Sequence, residues 1–192
     1  MIPRVVLVTI AAYLAGSFCA AYYLVYWRTG QDVRAVGSGN AGARNAGRVL
    51  GKRGFITVFL IDMAKGTLAM WLAHWSELSG WALVVPFLAV VLGHLYPVQL
   101  GFRGGKGAST AFGALLYIDT TLAFVTLGVA AVVYLITRAF TVSGLIAIAL
   151  APVAAFILLS TVSTTASVAL VALLLVFSHR ENFRQLVHHP SQ

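Results

Sequence analysis

The polar stretches of this chain are built for oxyanion chemistry. The first reads Gly37-Ser38-Gly39-Asn40-Ala41-Gly42-Ala43-Arg44-Asn45-Ala46-Gly47-Arg48. Small residues let the backbone turn sharply and crowd its N–H groups into a concavity, the kind of nest that holds phosphate oxygens. Ser38, Asn40 and Asn45 add side-chain donors, and Arg48 adds a planar, two-pronged one. The Gly-Lys-Ser/Thr ending of a Walker motif is missing, and a flexible polar turn is the plainer alternative. The second stretch is Asp62-Met63-Ala64-Lys65-Gly66. Asp62 and Lys65 stand three apart in an apolar run and so share one helix face. Charges at such depth pair with each other or face a cavity. Either they form a structural ion pair, or Lys65 faces an anionic substrate while Asp62 orients it.

The third stretch, Gly93-His94-Leu95-Tyr96-Pro97 followed by Gly101-Phe102-Arg103-Gly104-Gly105-Lys106-Gly107, places a glycine turn and an ammonium directly before a helix. Free N–H groups and a positive helix end together make an anion site. Tyr96-Pro97 fits a helix break; His94 alone is more often a hydrogen-bonded structural histidine. The pair Arg138 and Thr141 is a short hydroxyl-bearing turn that would draw no notice on its own. Last comes Ser178-His179-Arg180-Glu181-Asn182-Phe183-Arg184, where a helix would put His179 and Asn182 on one face. His188 and His189 sit in a terminal tail and carry no assigned role. No paired carboxylates and no cluster with metal-ligand spacing appear, and Ser38 lacks the Gly-x-Ser-x-Gly setting of a nucleophile. Neither a metal nor another cofactor is expected, and no nucleic-acid partner.

These stretches must be positioned by membrane helices. The chain has 192 residues, 60% hydrophobic and only 9% charged, with mean hydropathy +0.91. Soluble domains carry about 25% charged residues. Long apolar runs without strict alternation exclude a transmembrane barrel and match helices of ~20 residues. We read spans at 5–27, 55–71, 81–100, 107–116, 120–137, 142–159 and 165–178. The fold expected is all-α: one integral-membrane domain over 1–192, a polytopic bundle of about seven transmembrane helices. The fourth run is short, and either continues back through the glycines or crosses a thinned region. The first run has some features of a signal peptide, but its length argues for a retained span. Cys19, the single cysteine, excludes an internal disulfide.

Arg28, Arg34, Arg44, Arg48, Lys52, Arg53, Arg103, Lys106, Arg138, Arg180 and Arg184 all fall on one side of this bundle; only Arg4 breaks the pattern. The positive-inside rule makes that side cytoplasmic, with the N-terminus outside and the C-terminus inside. Trp71, Trp75 and Trp81 mark the outer boundary as an aromatic belt.

Taken together, GSGNAGARNAGR, DMAKG, GHLYPVQLGFRGGKG and HRENFRQL, in this order and spacing, resemble the PlsY family of bacterial membrane glycerol-3-phosphate acyltransferases that use acyl phosphate as donor. The resemblance covers nearly the whole chain. It implies transfer of a fatty acyl group from acyl phosphate to the 1-hydroxyl of glycerol 3-phosphate, giving lysophosphatidic acid and phosphate, the first acylation of bacterial phospholipid synthesis. It also implies a multi-pass protein of the bacterial cytoplasmic (inner) membrane with its active site facing the cytoplasm, in contact with membrane lipids. By the same resemblance, Ser38, Gly39, Asn40, Asn45 and Gly105 cradle the donor phosphate. Arg48 and Lys106 clamp the two phosphates, and Thr141, His179 and Asn182 contact glycerol phosphate. Lys65 matches a family lysine near the site, and His94 joins the substrate-binding set. Arg44 stands where the family usually has threonine, Gly47 sits beside Arg48, Gly107-Ala108-Ser109-Thr110 replaces Gly-Val-Ala-Thr, and Thr141 replaces serine. Acyl phosphate is already activated, so the enzyme has to position two mutually repelling anions rather than form an acyl-enzyme. Two bases are open: His179 and the donor's own phosphate. A transporter of phosphorylated metabolites is the alternative reading, and a lipid-binding assembly protein a lesser one.

Overall fold

The computed structural model describes residues 2–180. Among these residues are eight α-helices: α1 (Ile2–Ser17), α2 (Ala20–Thr29), α3 (Ala43–Trp75), α4 (Val84–Leu95), α5 (Ala108–Ile118), α6 (Thr120–Thr137), α7 (Phe140–Ile157) and α8 (Val162–Ser178). Single turns of 3₁₀ helix occur at Val33–Ala35, Gly80–Leu83 and Val98–Leu100. The helices α1 and α2 run on as one apolar segment, Ile2–Thr29, so the bundle has the seven spans expected.

Large apolar side chains cover its outside: Leu7, Leu60, Leu68, Leu135, Phe156 and Leu173 are all exposed. In water such a surface would aggregate; in hydrocarbon it is the solvated face. Five helical segments are long and apolar enough to cross a bilayer, whereas α5 and α8 are shorter. The 11 residues of α5 rise only about 16 Å, half of a ~30 Å hydrocarbon core. It does not continue back through the glycines. Gly107 closes its N-terminus at φ 82°, a left-handed conformation that costs glycine nothing, and the backbone before it is irregular. Irregular backbone at this depth is tolerated where it is enclosed by protein or lines a cavity. Glycines bring the surrounding helices close. On α1, Gly16 meets the backbone of α4 at Val90, and Gly93 of α4 meets α1 at Tyr13; α3 and α5 touch through Gly66 and Gly113.

Two long apolar runs are not the straight rods that hydropathy predicts. The first is broken at Phe18–Cys19, which lie outside both α1 and α2. The second begins not at residue 55 but at Ala43, and Gly51 interrupts it at φ 70°, ψ −168°, a region essentially reserved for glycine. A Cβ at Gly47 would stand 2.8 Å from Cβ of Phe55, although eight residues of straight helix would separate them by about 12 Å. The chain therefore folds back at Gly51. A short helix carrying Arg44, Asn45 and Arg48 lies against the start of the membrane helix proper, and the small residue at 47 is what lets it lie there.

At the opposite end, Arg4 pairs with Glu77. The one cation that offends the charge asymmetry is thus neutralised by a neighbouring carboxylate. Trp71 and Trp75 stack nearby on α3, 6.3 Å between ring centroids.

Candidate active site

The loop from Gly30 to Gly42 and the turn from Tyr96 to Gly107 are stitched together before they can bind anything. Asp32 caps the 3₁₀ turn through Arg34 N–H, at 2.8 Å, and its carboxylate holds the Arg34 guanidinium at 2.7–3.1 Å. That guanidinium keeps the Asp32 carboxyl below the usual carboxylate range. Arg34 also donates to the Leu100 carbonyl, 2.6 Å away, and the Ala41 N–H donates to the Gly104 carbonyl at 3.3 Å. Arg34 is therefore a tie between two turns.

Asn45 is a second tie. Its amide nitrogen donates to the carbonyls of Val33 (2.7 Å) and Val36 (2.9 Å), and its oxygen accepts from Ser38 N–H at 2.9 Å. It is 1% exposed, and both of its N–H bonds are used. Gly37, at φ 60°, packs so closely on Asn45 that a side chain there would displace the amide. The nest expected from the glycines is likewise taken up internally. Gly39 N–H reaches the Val36 carbonyl (3.1 Å), and Gly105 N–H the His94 carbonyl (3.0 Å). Asn45, Gly39 and Gly105, expected in the donor-phosphate cradle, thus brace the turns that form it, and other groups of these turns face a cavity. Those groups are the Ser38 hydroxyl, on an exposed residue, and the Asn40 side chain, both of which line the cavity.

Lys65 and His94 are engaged with each other in the same way, and His94 also lines the cavity. The Lys65 ammonium, 6% exposed, contacts the carbonyls of Gly16 (2.9 Å) and Phe18 (2.7 Å), Nδ1 of His94 (2.7 Å) and Oδ1 of Asp62 (2.9 Å). Its three N–H bonds are taken by the two carbonyls and the imidazole, with the Asp62 carboxylate alongside as counter-charge. Lys65 caps the carbonyls freed where the α1–α2 segment breaks, a need set by the absence of water there. Because an ammonium only donates, His94 Nδ1 accepts, and the ring is neutral with its proton on Nε2. That ring lies directly under Gly105, leaving no room for a Cβ.

What the turns and helix ends do bring together is one cavity of about 730 Å³, inside the ~300–1,000 Å³ range of ligand pockets. Its polar part is lined by Ser38, Asn40, Arg44, Asn45, Arg48, Asp62, His94, Lys106, Thr141 and His179, and its apolar part by residues such as Phe87, Leu115, Ala151, Val168 and Leu175. Leu127, Tyr134 and Phe140 line it while remaining exposed on α6 and α7, so the cavity opens sideways between these helices toward lipid. Ser178 lies between Lys106 and His179 in space, its hydroxyl 3.2 Å from the Lys106 carbonyl and 2.8 Å from the Leu175 carbonyl.

His179 itself is buried just past α8. Its Nδ1 lies 2.8 Å from the Leu175 carbonyl. A carbonyl only accepts, so Nδ1 carries the proton and Nε2 keeps a lone pair. Burial lowers the imidazole below its ordinary value of 6.5; the Leu175 bond opposes this and the Lys106 charge adds to it. Arg44, noted above as a departure from the family and given no role, also lines the cavity and donates to the Thr141 hydroxyl. Its spacing of four from Arg48 is the signal that would have found it. Asn182 lies outside the described residues. No group of three or more metal-ligating side chains occurs among the described residues.

Residues 6–189 match the family model described as glycerol-3-phosphate acyltransferase. Glycerol-3-phosphate acyltransferase 1 of Desulfitobacterium hafniense is 44% identical over 184 residues, covering 95% of this chain and 91% of that protein. The Thermus thermophilus glycerol-3-phosphate acyltransferase is 42% identical, over 91% of this chain and 87% of its own. Among solved structures, PlsY, an integral membrane glycerol 3-phosphate acyltransferase, matches in its glycerol 3-phosphate form with a TM-score of 0.90 and 34% identity, over 96% of this chain and 92% of that one. Its lysophosphatidic acid form matches with a TM-score of 0.87 and 31% identity, over the same shares of the two chains.

Proposed function

Because the chain belongs to the glycerol-3-phosphate acyltransferase family, we propose that it moves a fatty acyl group from acyl phosphate to the 1-hydroxyl of sn-glycerol 3-phosphate, releasing lysophosphatidic acid and inorganic phosphate at the cytoplasmic face of the bacterial inner membrane. The observation that carries this reading is a single cavity with Arg48, Lys106, Thr141 and His179 in its polar part and an apolar remainder open to lipid. A phosphate belongs in the first and an acyl chain in the second. The match to PlsY solved in a glycerol 3-phosphate form and in a lysophosphatidic acid form supports the acceptor and the product. The entire chain acts as one domain.

In this mechanism Arg48 and Lys106 screen the repulsion between the two phosphates, while Ser38 and Asn40 hold the donor phosphate. Thr141 and His179 hold the acceptor, and Asn182 joins them by resemblance to the family. Holding both reactants in line can lower the barrier by ~7–11 kcal/mol. The 1-hydroxyl oxygen attacks the acyl carbonyl carbon and the carbon–oxygen bond to phosphate breaks. His179 Nε2 receives the hydroxyl proton and passes it to the departing phosphate. No acyl-enzyme forms, and neither metal nor cofactor takes part. Purified protein given palmitoyl phosphate and labelled glycerol 3-phosphate is expected to yield labelled lysophosphatidic acid with one phosphate released per transfer, before and after treatment with EDTA. Uptake of label into vesicles without transfer would replace this reading with a transporter.

A further inference from the structure

We propose that Arg44 is a third phosphate-binding cation of the site, serving the acceptor: it grips the phosphate of glycerol 3-phosphate and sets the preference for a phosphorylated over an uncharged polyol. The proposal rests on the acyl-transfer reading above and adds a residue to it.

Arg44 lines the same cavity as Arg48, Lys106, Thr141 and His179, and its residue surface is exposed. It stands four residues before Arg48 on the short helix that ends at Gly51, so the two guanidinium groups share one face. Like charges in that relation destabilise a helix. No carboxylate pairs with either arginine among the described residues, where the ion pairs are Arg4–Glu77, Arg34–Asp32, Lys65–Asp62 and His94–Asp62. The one hydrogen-bond partner of Arg44 is the Thr141 hydroxyl, which is neutral and offsets no charge. Two adjacent uncompensated arginines at the wall of a cavity are the arrangement that an anion relieves.

Charge balance points the same way. A phosphomonoester carries about −1.5 to −2 near pH 7, so two substrates bring roughly −3 to −4. Arg48 and Lys106 supply two positive charges, and Arg44 supplies a third. Its bond to Thr141 says which substrate it serves. A hydroxyl has one proton to give and two lone pairs. With Arg44 occupying a lone pair, the Thr141 proton is left to point at a ligand oxygen. Arg44 and Thr141 thereby present adjacent donors to one phosphate, on the acceptor side of the cavity.

Steady-state kinetics on purified protein test this with Arg44→Ala and Arg44→Lys, each varying one substrate at saturating levels of the other. The Ala variant is expected to raise the KM for glycerol 3-phosphate about tenfold or more, the loss that follows from one charge-assisted hydrogen bond. The KM for acyl phosphate and kcat should stay within about twofold, and the Lys variant should fall between. An unchanged KM for glycerol 3-phosphate, or an equal rise in both KM values, overturns the proposal. Calorimetric titration of glycerol 3-phosphate into wild type, Arg44→Ala and Arg44→Lys decides it independently of turnover. Equal affinities overturn it, while weakened binding by the Ala variant with partial recovery in the Lys variant supports it. If the unmodified chain binds glycerol 3-phosphate but transfers nothing, the acyl-transfer reading fails and the assignment of Arg44 is still decided by the titration. If Arg44→Ala does not fold, the Lys variant carries both measurements.

Discussion

The protein holds its cations in two ways. In the interior, Lys65 is enclosed by a carboxylate, a neutral imidazole and two carbonyls. At the polar end of the cavity, Arg44 and Arg48 lie side by side, and among the described residues no carboxylate is paired with either. The first arrangement is complete without a ligand; the second is not. A buried charge with every bond satisfied belongs to the architecture, and an exposed pair of like charges belongs to whatever anion arrives. Motif content alone does not separate the two, since the interior lysine lies in a segment as distinctive as the arginine's.

The largest effect that could break this contrast is Lys65→Met. Removing one partner of a buried ion pair costs about 3–5 kcal/mol, and here it also uncaps the Gly16 and Phe18 carbonyls. Thermal unfolding in detergent should fall sharply together with yield. A variant that melts like wild type and loses only activity would move Lys65 to the functional class. Arg48→Ala should do the reverse: a drop in kcat/KM of about 10²–10³-fold, the scale set by loss of one charge-stabilising donor, with unfolding unchanged.

His179 sharpens the comparison because it is buried yet left with a free acceptor. Its depressed pKa keeps it neutral at pH 6.5, and protonation below its lowered pKa removes the acceptor. The acidic limb of the kcat/KM profile, which reports the free enzyme, should therefore lie below 6.5 in wild type. His179→Gln should lower kcat by about 10²-fold and flatten that limb. Turnover near wild type would restrict the residue to positioning and leave the proton to the donor phosphate. The smallest effect is expected at Asn45, whose amide is already engaged with the backbone of the first loop. Asn45→Ala should cost about 1–3 kcal/mol of stability through orphaned backbone groups, with roughly tenfold weaker use of acyl phosphate as Ser38 loses its anchor.

How far the sequence carried can be judged at particular residues. Apolar runs located the spans, because hydrocarbon imposes length and composition on each helix independently of its neighbours. The breaks at Phe18–Cys19 and Gly51 were hidden, since a carbonyl capped by a lysine 47 residues away leaves no local trace. The site was legible as a set of donors, and Arg48, Lys106, Thr141 and His179 do line one cavity. Which donors are already engaged was not legible. The glycines that looked like a nest use their N–H groups on Val36 and His94, a matter of three-dimensional partners rather than residue type. Arg44 was passed over because its neighbour Arg48 carried the motif, although their spacing was in plain view.

The gap between α6 and α7 has a consequence for traffic. Molecules dissolved in water and molecules dissolved in lipid meet in this chamber without sharing a doorway. If the chain transfers acyl groups as proposed, small phosphates come and go past the arginines, while anything carrying a long hydrocarbon tail slides in or out between Leu127, Tyr134 and Phe140. A greasy product needs no passage through water to join the leaflet, so bulky side chains at that gap would throttle its departure without touching the chemistry.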